Sequence, residues 1–532
     1  MPRMHSEAMG ENTGARWAGL CVRVVAWYLL VLMTLWAIGI EGIYGSPLPF
    51  YALVAPAFPS AIVPAVVMWA AGFILWLGSA PEPSRRTRGL LLWTIAALGL
   101  FLLAFVRFHF NPISFRAFFS CLGWHALAPA IFLAGLAAAR LSAHHWLSAE
   151  PEPAPKTIRW FLLGLMIFSF AFAGAVAMIR DGTTGISQAY ARHGYEYASD
   201  IGTTSGIQAL FRDYLKVRPY LSMHAKVHPP GPIALLWFFS YGIGQEPLPL
   251  SLATMAFGVL AILPLYGWVS DLAGRRTALI ACILYSLMPS IVLFTATSAD
   301  ILFMPFTLTT LFLFTRAIQR RSVVYAAAAG AGYALMSLLS FSLIAVGAYF
   351  AFYGLWQLGD KDKRFAVVQT AAVMLAAFLG LHAAVRYGTG FDVVACFQAC
   401  KAQFEADQMH LDRLTPRFPA WTWRFLNPAC WFYFAGIPVS LLFLGFARRA
   451  QSGSPGMATV MIATLLALNL LYLARGEGER SAMYILPFVV LPAACRLDVM
   501  CRKARCYGPF WATILFLAFQ CWLTESWFYT FW

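Results

Sequence analysis

Stretches of about 20 apolar residues recur along the chain, and each has the length that a helix needs to cross a membrane. Only 11% of the residues are charged, which excludes a water-soluble protein of 532 residues. The sequence therefore predicts an all-α polytopic membrane protein with about 15 transmembrane helices. The predicted helices cover residues 24–42, 60–78, 89–106, 118–139, 160–179, 250–269, 278–296, 302–318, 323–339, 341–357, 365–386, 430–447, 456–474, 481–495 and 508–526.

Basic residues in the short loops predict how these helices are oriented, because cytoplasmic loops are enriched in Lys and Arg. With a cytoplasmic N-terminus, the short basic loops agree with one topology, including those at Arg275–Arg276 and Arg320–Arg321. If the apolar segment 229–244 crossed the membrane, every later loop would lie on the opposite side from the one that its basic residues predict. Its roughly 13 apolar residues are also too few to cross the membrane. We expect it to be a helix in the outer interface, with Pro229 and Pro230 in its first turn.

The predicted topology divides the chain into a cytoplasmic leader, an N-terminal four-helix membrane bundle, a catalytic membrane core, and a C-terminal part with the last membrane helices. These parts cover residues 1–23, 24–159, 160–390 and 391–532, respectively. The core contains a long outer loop over residues 180–250, here called loop one. A second outer loop, loop two, runs from Arg386 to about Pro428, and most of it belongs to the C-terminal part, ahead of the last membrane helices.

The polar residues indicate where chemistry is expected. Motifs of soluble enzymes such as GxxxxGK[ST], HExxH and GxSxG are absent from the sequence. The net charge of +15 is explained first by basic loops beside the bilayer, and no nucleic-acid partner is expected. Ionisable residues gather in loop one, at Asp300, in loop two and in the turn 475–480, all on the predicted outer side. Cys396 and Cys400 share a helical face in loop two and are candidates for pairing.

Three motifs follow one another in the core. A membrane helix leads to an acid in Tyr197–Asp200 (YASD), an interfacial helix follows Lys226–Gly231 (KVHPPG), and a helical hairpin returns to an acid in Thr297–Asp300 (TSAD). This order resembles that of the membrane-embedded GT-C glycosyltransferases, which include protein mannosyltransferases and lipid A aminoarabinose transferases. The resemblance covers roughly residues 160–320. Many members carry adjacent acids in loop one, whereas Asp200 stands alone between Ser199 and Ile201.

The resemblance implies an activity. It implies transfer of a sugar, with inversion, from a polyprenyl-phosphate donor to a glycan, lipid or protein acceptor at the extracytoplasmic face of a bacterial inner membrane. It also implies that Asp200 is the general base and that Asp300 orients substrate or a cation beside it. The residue types alone also allow a solvated Asp200 and an Asp300 that only caps a helix.

Basic residues are expected to bind the phosphate of the donor. Lys226 and His228 precede the interfacial helix, whose N-terminal N–H groups favour an anion. Arg218 is an alternative in the same loop. Arg480 ends Gly476–Arg480 (GEGER), which is similar to a Gly-Glu-x-x-Arg turn of some bacterial members, and it can bind phosphate bidentately.

Other roles stay open at this stage. Glu477 is either a substrate-binding acid or a local ion-pair partner, and Trp421 either stacks on a sugar or anchors the interface. No cofactor is certain, and a Mg²⁺ or Mn²⁺ ion near the outer carboxylates is left open. The alternative function is a transporter or flippase for a lipid-linked saccharide, which needs polar residues deep in the helices; the sequence contains few of them.

Overall fold

The computed structural model describes residues 53–54, 124–140, 155–414, 421, 423–450, 456–472, 478–504 and 506–529. These residues are almost entirely helical, which confirms the predicted all-α class for the described part of the chain. Strands β1 (Leu53–Val54) and β2 (Phe528–Tyr529) form one short antiparallel pair, in which Leu53 faces Tyr529. The leader 1–23 and most of the N-terminal bundle lie outside the described residues.

The described helices are labelled in chain order. The first ten are α1 Trp124–Arg140, α2 Pro155–Asp181, α3 Thr184–Ala191, α4 Ile207–Val217, α5 Gly231–Ile243, α6 Pro247–Gly258, α7 Ile262–Ala273, α8 Arg275–Ser286, α9 Pro289–Phe294 and α10 Phe303–Arg320. The others are α11 Val323–Leu339, α12 Gly347–Leu358, α13 Arg364–Thr389, α14 Val393–Leu414, α15 Trp423–Phe434, α16 Ile437–Ala450, α17 Gly456–Leu471, α18 Gly478–Ser481, α19 Leu486–Ala504 and α20 Gly508–Trp527.

Several of these helices can cross a membrane. Within the described residues, six continuous helical segments are long and apolar enough, and the pair α15–α16, bent by 112°, adds a seventh if it counts as one span. The six cover Pro155–Ile179, Pro247–Ala273, Ala299–Arg320, Phe341–Leu358, Lys361–Thr389 and Met483–Lys503. The chain is thus a multi-pass membrane protein, but the predicted number of about 15 spans is not confirmed. The predicted spans 24–42, 60–78 and 89–106 lie outside the described residues.

One predicted membrane helix is broken in the structure. Residues 278–296 form the end of α8 and the short α9, separated by Leu287 and Met288. Pro289 begins α9 and has no N–H to continue the hydrogen-bond ladder of α8, which explains the break. The apolar stretch 323–357 is interrupted at Ser340, as the sequence predicts, and gives two separate helical segments.

The core lies around α10 and α19, the most buried of the long helices. Trp268 of α7 is fully buried there and donates its Nε1–H to Thr315 and to the Tyr349 hydroxyl, each at 3.1 Å. A buried indole N–H thus finds partners within the bundle, as an apolar interior requires. Phe365 and Leu375 of α13 are exposed, as expected for a helix face turned towards lipid.

Loop one is folded into helices and turns. Its apolar segment forms α5, which starts at Gly231, so Pro229 and Pro230 precede the helix and do not lie in its first turn as predicted. A Cβ atom on Gly231 would lie 2.2 Å from the carbonyl oxygen of Leu338, so only glycine allows α5 to approach the end of α11 this closely. This contact fixes the start of α5, and with it the preceding Lys226 and His228.

Candidate active site

Four charged or polar side chains from three distant segments meet at one end of the core. Glu196 and His224 come from loop one, Asp300 precedes α10, and Arg480 belongs to α18. Their exposed fractions are only 1%, 7%, 6% and 4%, respectively. We call these four residues the buried cluster. Charged groups are rarely buried to this degree unless they are paired or functional.

Arg480 and Asp300 form the ion pair of the buried cluster. The Nη1 atom of Arg480 lies 3.1 Å from Oδ2 of Asp300. Ser298 caps the turn that contains Asp300, because its hydroxyl accepts from the Asp300 backbone N–H at 3.2 Å. The cap is therefore Ser298, and the carboxylate of Asp300 is directed to Arg480, which argues against capping as its main role.

The short helix α18 is held in place by neighbouring side chains. Ser290 donates its hydroxyl to the backbone carbonyl of Glu479 at 2.5 Å, and the thiol of Cys430 donates to Glu479 Oε2 at 3.4 Å. A Cβ atom on Gly478 would approach Trp431 Nε1 to 2.9 Å. These close contacts fix the backbone that presents Arg480 to the buried cluster.

His224 joins Arg480 to Glu196. Its Nε2 atom lies 2.8 Å from Nη2 of Arg480. Arginine can only donate hydrogen bonds, so Nε2 of His224 accepts and carries no proton. The proton of the neutral imidazole is then on Nδ1, which lies 3.5 Å from Oε1 of Glu196. This distance is a polar contact that is longer than a normal hydrogen bond.

Glu196 is the carboxylate of the buried cluster that makes no hydrogen bond, and His224 at 3.5 Å is its polar contact. Both of its oxygens are buried, and neither makes a hydrogen bond within the described part of the chain. Burial acts to raise the pKa of Glu196, but the contact with His224 and the positive charge of Arg480 outweigh burial and hold the pKa below its usual value. No role was predicted for Glu196 from the sequence. Its position between Tyr195 and Tyr197 is the one local feature that could have indicated its burial.

Asp200 has a different set of partners. It is buried, and its two oxygens accept from Ser222, one from the backbone N–H at 2.9 Å and one from the hydroxyl at 2.6 Å. Burial raises the pKa of Asp200, although the hydrogen bonds from Ser222 and the charge of Lys226 act in the opposite direction. Asp200 thereby ties the turn Tyr197–Asp200 to the segment that carries His224.

The predicted phosphate-binding residues lie beside the buried cluster. The His228 ring lies 5.8 Å from the ring of Tyr197, and burial lowers the pKa of His228 to about 3. A neutral His228 supplies no positive charge near pH 7, which leaves Lys226 as the cation directly before α5. Arg218 donates its Nη1–H to the carbonyl of Lys226 at 2.7 Å and so holds this segment.

Loop two contacts the same segment. Cys396 and Cys400 lie on one face of α14, with their sulfur atoms 3.9 Å apart, and both are free thiols. The Cys400 thiol donates to the carbonyl of His228 at 3.4 Å. The helical face predicted for the two cysteines is thus confirmed, and it packs against the start of α5.

The remaining predicted residues are not gathered in the buried cluster. Trp421 is 66% exposed and packs edge-on against Phe425, with ring centroids 6.4 Å apart. Glu477 lies outside the described residues. Among the residues that the structure describes, no group of three or more His, Cys, Asp or Glu side chains is arranged to hold a metal ion.

Comparison with known proteins gives one match to a protein family. The family model for dolichyl-phosphate-mannose-protein mannosyltransferases matches residues 227–383, which is less than half of the chain. The matched segment begins at Val227, directly before His228, and includes Asp300. No match to a curated protein is found. The family match confirms the resemblance seen in the motifs, and it indicates that this chain is a membrane glycosyltransferase of the GT-C type.

Proposed function

We propose that this protein transfers a sugar from a polyprenyl-phosphate donor to a glycan, lipid or protein acceptor at the extracytoplasmic face of the cell membrane. The observation that carries this proposal is the buried cluster, in which the Glu196 carboxylate has no hydrogen bond and His224 lies between it and a buried Arg. Such a site can accept a proton and stabilise the negative charge of a leaving phosphate.

The basic loops support the proposed side of the membrane. Asp300 and Arg320 lie at opposite ends of the continuous helical segment Ala299–Arg320. A segment of this length is about 30 Å long, which matches the hydrocarbon layer of a bilayer. Arg320 and Arg321 favour the cytoplasmic side, so the buried cluster belongs on the extracytoplasmic side.

The proposed reaction is a single inverting displacement. A carboxylate takes the proton of the acceptor hydroxyl while the hydroxyl oxygen forms a bond to the anomeric carbon. The bond between that carbon and the phosphate oxygen breaks, and the phosphate leaves with the electron pair. Lys226 and the N-terminal N–H groups of α5 are the proposed contacts for this phosphate, with Arg480 close by.

Two acids of loop one compete for the role of base. The resemblance favours Asp200, but both of its oxygens accept from Ser222. Glu196 has two oxygens without hydrogen bonds and lies beside His224, with the charge of Arg480 near. A base needs a free lone pair directed to the acceptor, so these contacts favour Glu196 and leave Asp200 as the alternative.

The test uses purified protein in lipid and a panel of polyprenyl-phosphate sugars with candidate acceptors. We expect turnover by the wild type, loss of turnover in Glu196→Gln, and wild-type turnover in Asp213→Asn. Asp213 is a suitable control because it belongs to the same loop and pairs with Arg212 at the surface. Loss of turnover in Asp200→Asn alone would identify Asp200 as the base. Movement of an intact lipid-linked sugar across the membrane without transfer would support the transporter alternative.

A further inference from the structure

His224 stands between a cation and an anion that would otherwise attract each other directly. Its ring accepts from Arg480 on one side and faces Glu196 on the other. We propose that His224 is a positioning residue, a neutral spacer that keeps Arg480 paired with Asp300 and leaves the carboxylate of Glu196 free to accept a proton. The catalytic role of Glu196 in this inference rests on the proposed function. The effect of His224 on the pairing of Arg480 is tested without any substrate.

The chemistry of the two contacts defines the spacer. Because Arg480 can only donate, the imidazole must present the lone pair of Nε2 to it. The same tautomer directs Nδ1–H towards Glu196 at 3.5 Å, so a single neutral ring presents an acceptor to the cation and a donor to the anion. A residue with a donor alone or an acceptor alone suits one of these neighbours and not the other.

The spacer matters because two carboxylates lie near one guanidinium. Arg480 contacts Asp300 directly, and its charge also acts on Glu196. Arg–carboxylate pairs are strong and geometrically specific in a dry site. Without the ring of His224, Arg480 is free to pair with Glu196 as well, and a paired carboxylate is a poorer proton acceptor.

The surrounding backbone holds the ring of His224 in position. The N–H of Met223 donates to the carbonyl of Gly194 at 2.9 Å, and the N–H of His224 donates to that of Tyr195 at 3.3 Å. The ring of Tyr195 packs edge-on against the imidazole, with centroids 5.8 Å apart. These contacts bring His224 alongside the turn that carries Glu196, so the position of His224 in the buried cluster is set by the fold of loop one.

Two amide variants separate the functions of the ring. In His224→Gln, the side-chain amide oxygen can replace Nε2 as the acceptor for Arg480, whereas in His224→Asn the amide nitrogen can replace only the Nδ1 donor. We expect His224→Gln to keep kcat within about 10-fold of the wild type, and His224→Asn and His224→Ala to lose about 10²-fold. Equal activity of the Gln and Asn variants, or a fully active Ala variant, would overturn the proposal.

A thermal cycle tests the spacer without turnover. The pKa of Glu196 lies below its usual value, so the folded state favours the charged carboxylate, and Glu196→Gln should lower the Tm of the wild type in detergent. In the His224→Ala background, Glu196 pairs directly with Arg480, and the same change should lower the Tm by at least about 2 °C more. An equal loss in both backgrounds would refute the spacer. If His224→Ala does not fold, the cycle is run with His224→Asn, for which the same larger loss is expected.

The two tests fail in different ways. If no donor is turned over by the wild type but Glu196→Gln lowers the Tm more in the His224→Ala background, the proposed function is wrong and the spacer stands. If donors are turned over and the two losses of Tm are equal, the transferase stands and the role of His224 is wrong.

Discussion

The guanidinium of Arg480 lies 3.1 Å from the carboxylate of Asp300, although 180 residues separate them in the chain. This ion pair joins α18, near the end of the protein, to the turn before α10. Both side chains are buried, so neither is compensated by water. The pair therefore has a structural role besides its place in the site, because it holds α18 against the turn before α10, which lies in the segment matched by the family model.

Breaking this pair on one side should destabilise the protein. Arg480→Gln leaves the Asp300 carboxylate buried with a hydrogen bond from the Ser298 hydroxyl but without its ion-pair partner, and the expected cost is about 3–5 kcal/mol. The double variant Arg480→Gln with Asp300→Asn should recover a large part of this loss, as measured by thermal unfolding in detergent. Strictly additive losses in the double variant would show that the pair does not couple the two segments.

The hydroxyl of Ser222 should stabilise loop one. Ser222→Ala removes the 2.6 Å hydrogen bond to Oδ2 of Asp200 and leaves a buried acceptor unsatisfied, at a cost of about 1–3 kcal/mol. Ser205→Ala, at an exposed position of the same loop, is the matched control and should be neutral. Comparable Tm values for the two variants would argue against a structural role for the contact between Asp200 and Ser222.

The stability of the protein should depend on pH through His228. Burial lowers the pKa of His228 from 6.5 to about 3 in the folded state, so only the unfolded chain takes up this proton between those values. The contribution of His228 to the free energy of unfolding is fully present above pH 6.5. It falls as the pH drops towards 3, by on the order of a few kcal/mol in total. The difference in Tm between wild type and His228→Gln should therefore narrow from pH 8 to pH 5.5. A constant difference across this range would contradict a neutral, half-buried His228 ring.

The start of α5 should tolerate no side chain at Gly231. A Cβ atom there would meet the backbone of Leu338 at 2.2 Å, and a backbone atom cannot move aside as a flexible side chain can. Gly231→Ala should destabilise the protein by about 1–3 kcal/mol through overpacking. Gly242→Ala, in the same helix with open space around it, should be neutral or slightly stabilising. Equal effects of the two substitutions on Tm would show that α5 does not pack as described.

Part of this arrangement could be predicted from the sequence. The long apolar stretches predict membrane helices, and Asp300 and Arg480 can be selected as ionisable residues at helix ends. Their pairing could not be predicted, because no local pattern relates residues 180 positions apart. The break before Pro289 had a visible signal in the proline itself, but the surrounding apolar residues favour one continuous helix.

The partners of the loop-one acids could not be predicted either. Sequence comparison of motifs selects Asp200, but the burial of Glu196 depends on how loop one folds over the core. His224 looks like one of several histidines in a polar loop. Its tautomer follows only from the position of an arginine that is 256 residues away. Loop conformation and long-range contacts, rather than composition, decide which of these polar residues meet.

The most direct test of this account is the rate of donor cleavage by Glu196→Gln in lipid vesicles, compared with Asp213→Asn and with wild type, for the polyprenyl-phosphate sugar that the wild type turns over fastest. We predict that Asp213→Asn keeps the wild-type rate and that Glu196→Gln loses at least about 10²-fold in kcat while the variant remains folded in detergent. A Glu196→Gln variant that cleaves the donor at the wild-type rate would contradict the central claim that the buried cluster supplies the base.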